Sequence, residues 1–301
     1  MLFLNSEHID LDSANEWIGS QPENLENGVS IVYFWNYGCR CCRDRVKFFD
    51  KLNEVYDKVN VIGVHTPNFV FEKDFENLKR TLQDLDLTHS ITHDAESNVF
   101  QKNELAYSNH SVILENGTIV YQSYGRNQLD KVEKKISDLL SVRKEGISRD
   151  QYNSVVNEFL GYSRCDGLNE EGNSPGRNNF ELKPYRSREK VHLKGGWIQR
   201  EEFIESTQDS ELYYNFESTE FSIVVDPKGS IRDIRVLLDG EPVSGDIAGN
   251  DLRIEDGRSY VRVKNPGLYN LFNSEQQQAE ITLIPDKNTK IYALNFLKPE
   301  V

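Results

Sequence analysis

The strongest constraint on this chain lies between Ser30 and Cys42. Ser30 to Trp35 (SIVYFW) is a nearly continuous apolar run, and three residues later come Cys39-Arg40-Cys41-Cys42. A short run of this kind suits a strand buried on both faces. From Cys42 to Tyr56 the apolar residues Val46, Phe49, Leu52, Val55 and Tyr56 recur at helical spacing, so the cysteines open a helix. Val59 to Val64 (VNVIGV) is a second buried strand, ending at His65-Thr66-Pro67. Phe75 to Leu85 reads as a helix with Leu78, Leu82 and Leu85 on one side. Val112 to Leu114, the turn Glu115-Asn116-Gly117 and Ile119 to Gln122 carry a hairpin signal. Leu129 to Leu140 closes the unit as an amphipathic helix with Val132, Ile136, Leu139 and Leu140 inward. Residues 1–145 thus read β-α-β-α-β-β-α, an α/β sheet with helices on both faces.

The second half has another pattern. Residues 146–190 are polar, with Asn, Glu, Gly, Ser and Pro clustered around Asn169 to Asn179, and read as a linker with an extended lead-in. Over 191–301 short alternating runs are separated by turn residues: Leu212–Glu217, Phe221–Asp226, Ile231–Leu238, Ser259–Lys264, Ala279–Ile284 and Lys290–Phe296. Asp239-Gly240 is a tight-turn signal. This predicts an all-β sandwich, jelly-roll-like. Trp197, Tyr213, Tyr214, Tyr260 and Tyr269 are read as core aromatics before sugar-stacking ones.

With 35 Lys and Arg against 49 Asp and Glu, the formal charge of −14 argues against a nucleic-acid partner, which needs clustered cations. No apolar run approaches the roughly 18 residues of a membrane helix, so no membrane partner is expected. The start, MLFLNSEHIDLD, lacks the basic and apolar stretches of a secretory signal, and the expected location is cytoplasmic. Three of the four cysteines occupy four positions, a distribution that suits catalysis or metal binding in a reducing compartment better than a structural disulfide framework.

Cys39 follows a strand and opens a helix, where unpaired N–H groups and the helix dipole favour a thiolate. Arg40, Arg43 and Arg45 add positive charge, so a lowered pKa is expected for an exposed Cys39. Cys42 lies about 60° around the helix from Cys39 and Cys41 about 200°. The expected disulfide is therefore Cys39–Cys42, with Cys39 attacking a substrate disulfide, Cys42 resolving the mixed intermediate, and Cys41 pointing elsewhere. No cofactor is called for.

The run Phe34-Trp35-Asn36-Tyr37-Gly38-Cys39-Arg40-Cys41-Cys42 resembles the redox motif of thioredoxin-like proteins of the DipZ type, relatives of the TlpA group. Val61 to Lys73 (VIGVHTPNFVFEK) resembles the same family's HTPEF segment. Leu160-Gly161-Tyr162, Leu193 to Trp197, Leu238-Asp239-Gly240 and Tyr292 to Phe296 resemble landmarks of its C-terminal, carbohydrate-binding-like domain. The resemblance implies a thioredoxin fold for 1–145, thiol–disulfide oxidoreductase activity on a protein or small-molecule disulfide, and glycan binding as a further property of the second domain. The family's electron-carrying membrane segment is missing, which implies a soluble electron donor. Three positions depart from the family. Asn109 stands where its cis-proline is expected, in Ser108-Asn109-His110-Ser111; Lys47 replaces a helix proline; and Arg40-Cys41 adds a thiol between the paired cysteines.

The lost proline opens an alternative: Cys39, Cys42, Cys41 and His110 as ligands of a soft metal, copper or zinc. Asn109-His110-Ser111 is loosely similar to the histidine loop of Sco-type copper proteins; the plainer expectation for His110 is a solvent-facing loop. A third alternative is a carbohydrate- or protein-binding module with a degenerate redox domain. His65 is expected as a hydrogen-bonded residue at a strand end. His89 and His93 fall in a loop-like stretch, Leu87 to Asp94, and are not expected to pair on a metal. Asp84, Asp86 and Asp94 are expected to be solvated, and Cys165 to be an unpaired linker thiol.

Overall fold

The computed structural model describes residues 7–14, 16–22, 25–105, 109–125, 128–142, 146–147, 155–169, 172–183, 186–187 and 190–297. The opening Met1 to Leu4, Ser108, and Glu170 and Glu171 of the polar stretch lie outside the described residues. The chain divides into two compact units, Met1–Gln151 and Tyr152–Val301.

The first unit holds, in order, β1 (Glu16–Ile18), β2 (Val29–Trp35), α1 (Arg40–Val55), β3 (Val59–His65), a 3-10 turn (Val70–Lys73), α2 (Phe75–Leu85), β4 (Ser90–His93), α3 (Asn98–Lys102), β5 (His110–Glu115), β6 (Thr118–Tyr124) and α4 (Leu129–Leu140). The sheet order is β1-β4-β3-β2-β5-β6. β2 is central, parallel to β3 and antiparallel to β5, and all seven of its residues are buried, as its apolar run requires. Asn116 and Gly117 carry the positive φ angles (51° and 81°) of the tight β5–β6 turn. The core order β6-β5-β2-β3, with β5 antiparallel to its neighbours, is the thioredoxin fold expected from the sequence.

Two expectations in this unit are corrected. The loop-like stretch Leu87 to Asp94 contains β4, parallel to β3. Its polar residues are satisfied inside: Thr92 Oγ1 donates to the Glu16 carbonyl (3.0 Å), and His93 Nε2 lies 3.0 Å from the Glu72 carbonyl. Asp94 is buried rather than solvated, accepting from the Val99 and Phe100 amides at 3.0 and 2.9 Å to start α3.

The second unit is all-β: β7 (Val155–Phe159), β8 (Gly176–Phe180), β9 (Val191–Gln199), β10 (Ile204–Ser206), β11 (Glu211–Asp226), β12 (Arg232–Leu238), β13 (Glu241–Pro242), β14 (Leu252–Glu255), β15 (Arg258–Val263), β16 (Gly267–Pro285) and β17 (Lys290–Leu297). β7 and β8 lie in the segment read as linker and lead-in, pairing with β17 and β9. Leu212–Glu217 and Phe221–Asp226, expected as two strands, are one strand, β11, carried across bulges at Ser218/Glu220 and Phe221/Ser222. The bulges let β11 change partners, from β9 at Glu211–Tyr214 to β17 at Glu220–Asp226. One apolar cluster joins Val191, Leu193 and Trp197 of β9 to Val236 and Leu238 of β12 and Val261 of β15, so the sheet folds over a single core as a β-sandwich. Cys165 belongs to that core, not to a linker; its Sγ accepts from the Gly167 amide at 3.3 Å, and burial pushes its thiol up to about 11. No helix among the described residues is long and apolar enough to cross a membrane.

Candidate functional site

α1 begins at Arg40, leaving Cys39 as its N-cap, with extended backbone angles (φ −111°, ψ 120°). The Cys39 carbonyl receives the first helical hydrogen bonds, from the amides of Cys42 (3.1 Å) and Arg43 (3.2 Å). Because Cys39 stands outside the helix, the 100° per residue step does not apply to it. The consequence corrects the expected geometry. Cys39 Sγ lies 2.7 Å from Cys41 Sγ, beyond a disulfide bond of about 2.05 Å, and the three Sγ atoms all lie within 4.8 Å of one another. All three cysteines are free thiols, so Cys41 joins the cluster instead of pointing away.

The expected electrostatics are corrected too. Cys39 is only 9% exposed and its pKa is raised, first through the hydrogen bond with Cys41 and then through burial, against a lowering contribution from Cys42. Cys42, fully buried, is raised by its contacts with Cys39 and Cys41 and by burial. The arginines do not offset this. Arg40 pairs with Asp44 one turn on, and Arg43 Nε donates to the Tyr37 carbonyl at 2.8 Å. Arg45 is buried, with Nη1 donating to the Gly125 carbonyl. Its Nε and Nη2 have no hydrogen-bond partner among the described residues. Burial lowers the Arg45 pKa, and negative charge on Cys42, Cys41 and Cys39 pulls it back up.

Asn109, the residue standing for the family's cis-proline, faces the thiols. The Cys42 thiol donates to its Oδ1 at 3.1 Å, and its Nδ2 lies 3.7 Å from Cys41 Sγ. An amide that both accepts and donates thus does here what a proline ring has no atoms to do. His110 is neither a solvent-facing loop residue nor a member of the thiol group. It is buried at the start of β5, and its Nε2 lies 3.3 Å from Gln122 Oε1. Burial lowers its pKa, countered by the Gln122 contact.

Behind the cluster lies a carboxylate that motif spacing alone did not single out. Glu72 is fully buried in the 3-10 turn, and its two oxygens accept from the amides of Gly38 (2.6 Å), Asn68 (2.6 Å) and Phe69 (3.0 Å). Burial pushes its pKa up to about 7, while those N–H groups and Arg43 pull it down. Its one sequence signal is its place at the end of the family-like run Val61 to Lys73, directly after Phe69-Val70-Phe71. His65 ends β3 as expected, but neither ring nitrogen has a partner among the described residues. It stacks on Tyr37 (5.1 Å) beside Trp35 and His93, and burial holds its pKa well below the ordinary value. His89 and His93 are separately engaged, His89 Nδ1 with Asp50 at 2.8 Å and His93 Nδ1 with Glu16 at 3.3 Å.

A thioredoxin fold with free thiols at the first turn of α1 defines the class: a thioredoxin-like protein with a three-cysteine centre. Comparison with known sequences agrees. Residues 156–296 match the sequence model of a family described as Thioredoxin like C-terminal domain. Protein DipZ of Mycobacterium bovis is 22% identical over 267 residues, covering 80% of this chain and 37% of DipZ. Thiol-disulfide oxidoreductase YkuV of Bacillus subtilis is 23% identical over 126 residues, covering 41% of this chain and 80% of YkuV. NHL repeat-containing protein 2 of Homo sapiens is 25% identical over 126 residues, 39% of this chain and 17% of that protein. The chain therefore spans little more than a third of the length of the DipZ protein it matches.

Proposed function

We propose that the chain is a thiol–disulfide oxidoreductase working through Cys39 and Cys42. The observation that carries this is the placement of free thiols at the N-cap and first turn of α1, directly after the central buried strand. In that position the helix N-terminus stabilises the thiolate once Cys39 loses its proton. The Cys39 thiolate attacks one sulfur of a substrate disulfide, forming a mixed disulfide and releasing a first substrate thiolate, which takes up a proton. The Cys42 thiolate then attacks Cys39 Sγ, closing the Cys39–Cys42 bond and releasing the second substrate thiol. Two electrons leave the chain in each cycle, and a dithiol donor restores both thiols. The substrate is a disulfide-bearing protein or small molecule, and the setting a reducing compartment such as the cytoplasm, where thiols persist free. Similarity to a relative named as a thiol-disulfide oxidoreductase supports the reaction class.

Turnover of a disulfide substrate with a dithiol donor tests this. Cys39→Ser is expected to abolish it, and Cys42→Ser to stop it at a trapped mixed disulfide. Unchanged activity in both variants refutes the proposal. A trapped intermediate in Cys41→Ser instead of Cys42→Ser reassigns the resolving thiol.

A further inference from the structure

A disulfide needs two sulfurs, and this site gathers three. We propose that Cys39, Cys41 and Cys42, when reduced, bind one thiophilic d10 metal ion, Zn(II) or Cu(I), through their three Sγ atoms. The inference stands apart from the oxidoreductase reading, since it concerns the reduced chain alone and needs no turnover.

Three observations carry it. The Sγ atoms lie within 4.8 Å of one another. Sulfurs bound to zinc at about 2.3 Å sit roughly 3.8 to 4 Å apart, so the cluster closes on an ion once Cys39 and Cys41 separate from 2.7 Å by about 1 Å. Thiolate sulfur is the ligand type that selects Cu(I) and zinc over harder cations. The second observation is Arg45, three and four residues beyond Cys42 and Cys41 and so on their face of α1. It is buried, and two of its guanidinium nitrogens have no hydrogen-bond partner among the described residues. A buried cation with unspent donors fits a site that becomes anionic. The third is Asn109, whose amide contacts Cys41 and Cys42 on the side where the family's proline is expected. It leaves a polar wall beside the sulfurs in place of an apolar ring.

Charge balance fixes the stoichiometry. Three thiolates, one Zn(II) and the Arg45 guanidinium sum to zero; so do two thiolates, one thiol, one Cu(I) and Arg45. Binding zinc breaks three S–H bonds, forms three S–Zn bonds and sends three protons to solvent; copper displaces two, and no electron moves in either case. A Cys39–Cys42 disulfide removes two ligands, so oxidation and metal binding exclude each other.

The test uses the full chain, reduced, stripped of metal and kept anaerobic. It is titrated with Zn(II) alone and, in a second arm, with Cu(I) alone, each against a coloured competing chelator and with proton release recorded. One ion per chain is expected, with the arm that binds identifying the metal. Outer-shell changes at metal sites cost about 10- to 100-fold, so losing a direct ligand in Cys41→Ser is expected to weaken binding by at least about 100-fold. Cys165→Ser, in the other unit, is expected to bind like the parent. Failure of both ions to compete with the chelator, or equal affinity in Cys41→Ser, overturns the proposal. Disulfide turnover is measured separately on metal-free chain, so either idea can fail without the other.

Discussion

At the scale of single residues, Glu72 is tied to the thiol segment through the amide of Gly38, the residue before Cys39. Its two oxygens accept three backbone N–H groups, an arrangement that suits the ionised carboxylate, while full burial favours the neutral acid. The two pulls meet at about 7. A proton on either oxygen sets a donor against a donor and releases Gly38 or the Asn68-Phe69 amides, and Gly38 adjoins Cys39. The folded pKa of about 7 stands above the ordinary 4.5, so the folded chain holds this proton more tightly than the unfolded one. The linked stability is fully present below about 4.5 and is lost as pH rises through about 7, a change on the order of 3 kcal/mol. Denaturant unfolding of the parent and Glu72→Gln across that range is expected to show the parent losing stability, relative to the variant, as pH rises. A constant difference between the two refutes this role. The sequence displayed Glu72 only as one letter in a family-like run, because nothing in a string of residues says that an acid turns inward onto three amides.

At the scale of elements, legibility followed the strength of the periodic signal. β2 was readable as a nearly continuous apolar run, and α2 and α4 because their apolar residues recur at helical spacing. β4 was not: Ile91 is its one aliphatic residue, and what buries the strand is hydrogen bonding from Thr92 and His93 to distant segments. The thiol cluster was half readable. Its place at a strand-to-helix junction followed from pattern, but the angle of Cys39 depends on where the helix begins, and element boundaries shift by a residue or two. In the second unit, the join of β11 across its bulges rests on long-range pairing with β16 and is invisible locally. Gly195-Gly196 in β9 shows the same dependence. Gly195 has φ +75°, and a Cβ built there would lie 1.8 Å from the Asp209 carbonyl oxygen, which is backbone and cannot swing aside. Gly195→Ala is therefore expected to cost about 2 kcal/mol or more, combining left-handed strain with overpacking. Thermal unfolding checks it: an unchanged melting temperature means that β9 tolerates a side chain at this position.

At the scale of the molecule, the two units have separate cores, one around Val32, Phe34, Ile62 and Val112, the other running from Leu160 to Phe296. Trp197 tests that separation and also the idea of a sugar platform. Its indole is fully buried in the second core, and Nε1 donates to the Lys194 carbonyl at 3.0 Å, so no ring face is left for a glycan. Trp197→Ala is expected to destabilise the second unit by about 3 to 5 kcal/mol through the cavity it leaves. The cluster around Val32, Phe34 and Val112 in the first unit contains no residue of that second core. The rate at which Cys39 reacts with a disulfide probe is accordingly expected to survive in Trp197→Ala, measured below the temperature at which the second unit melts. If thiol reactivity instead collapses to the level of Cys39→Ser while the first unit stays folded by near-ultraviolet dichroism, the second unit supports the redox centre directly. Retained reactivity with a lowered second transition assigns Trp197 to stability alone, and any sugar recognition by the sandwich must then come from its half-buried aromatics, Tyr213, Tyr260 and Tyr269.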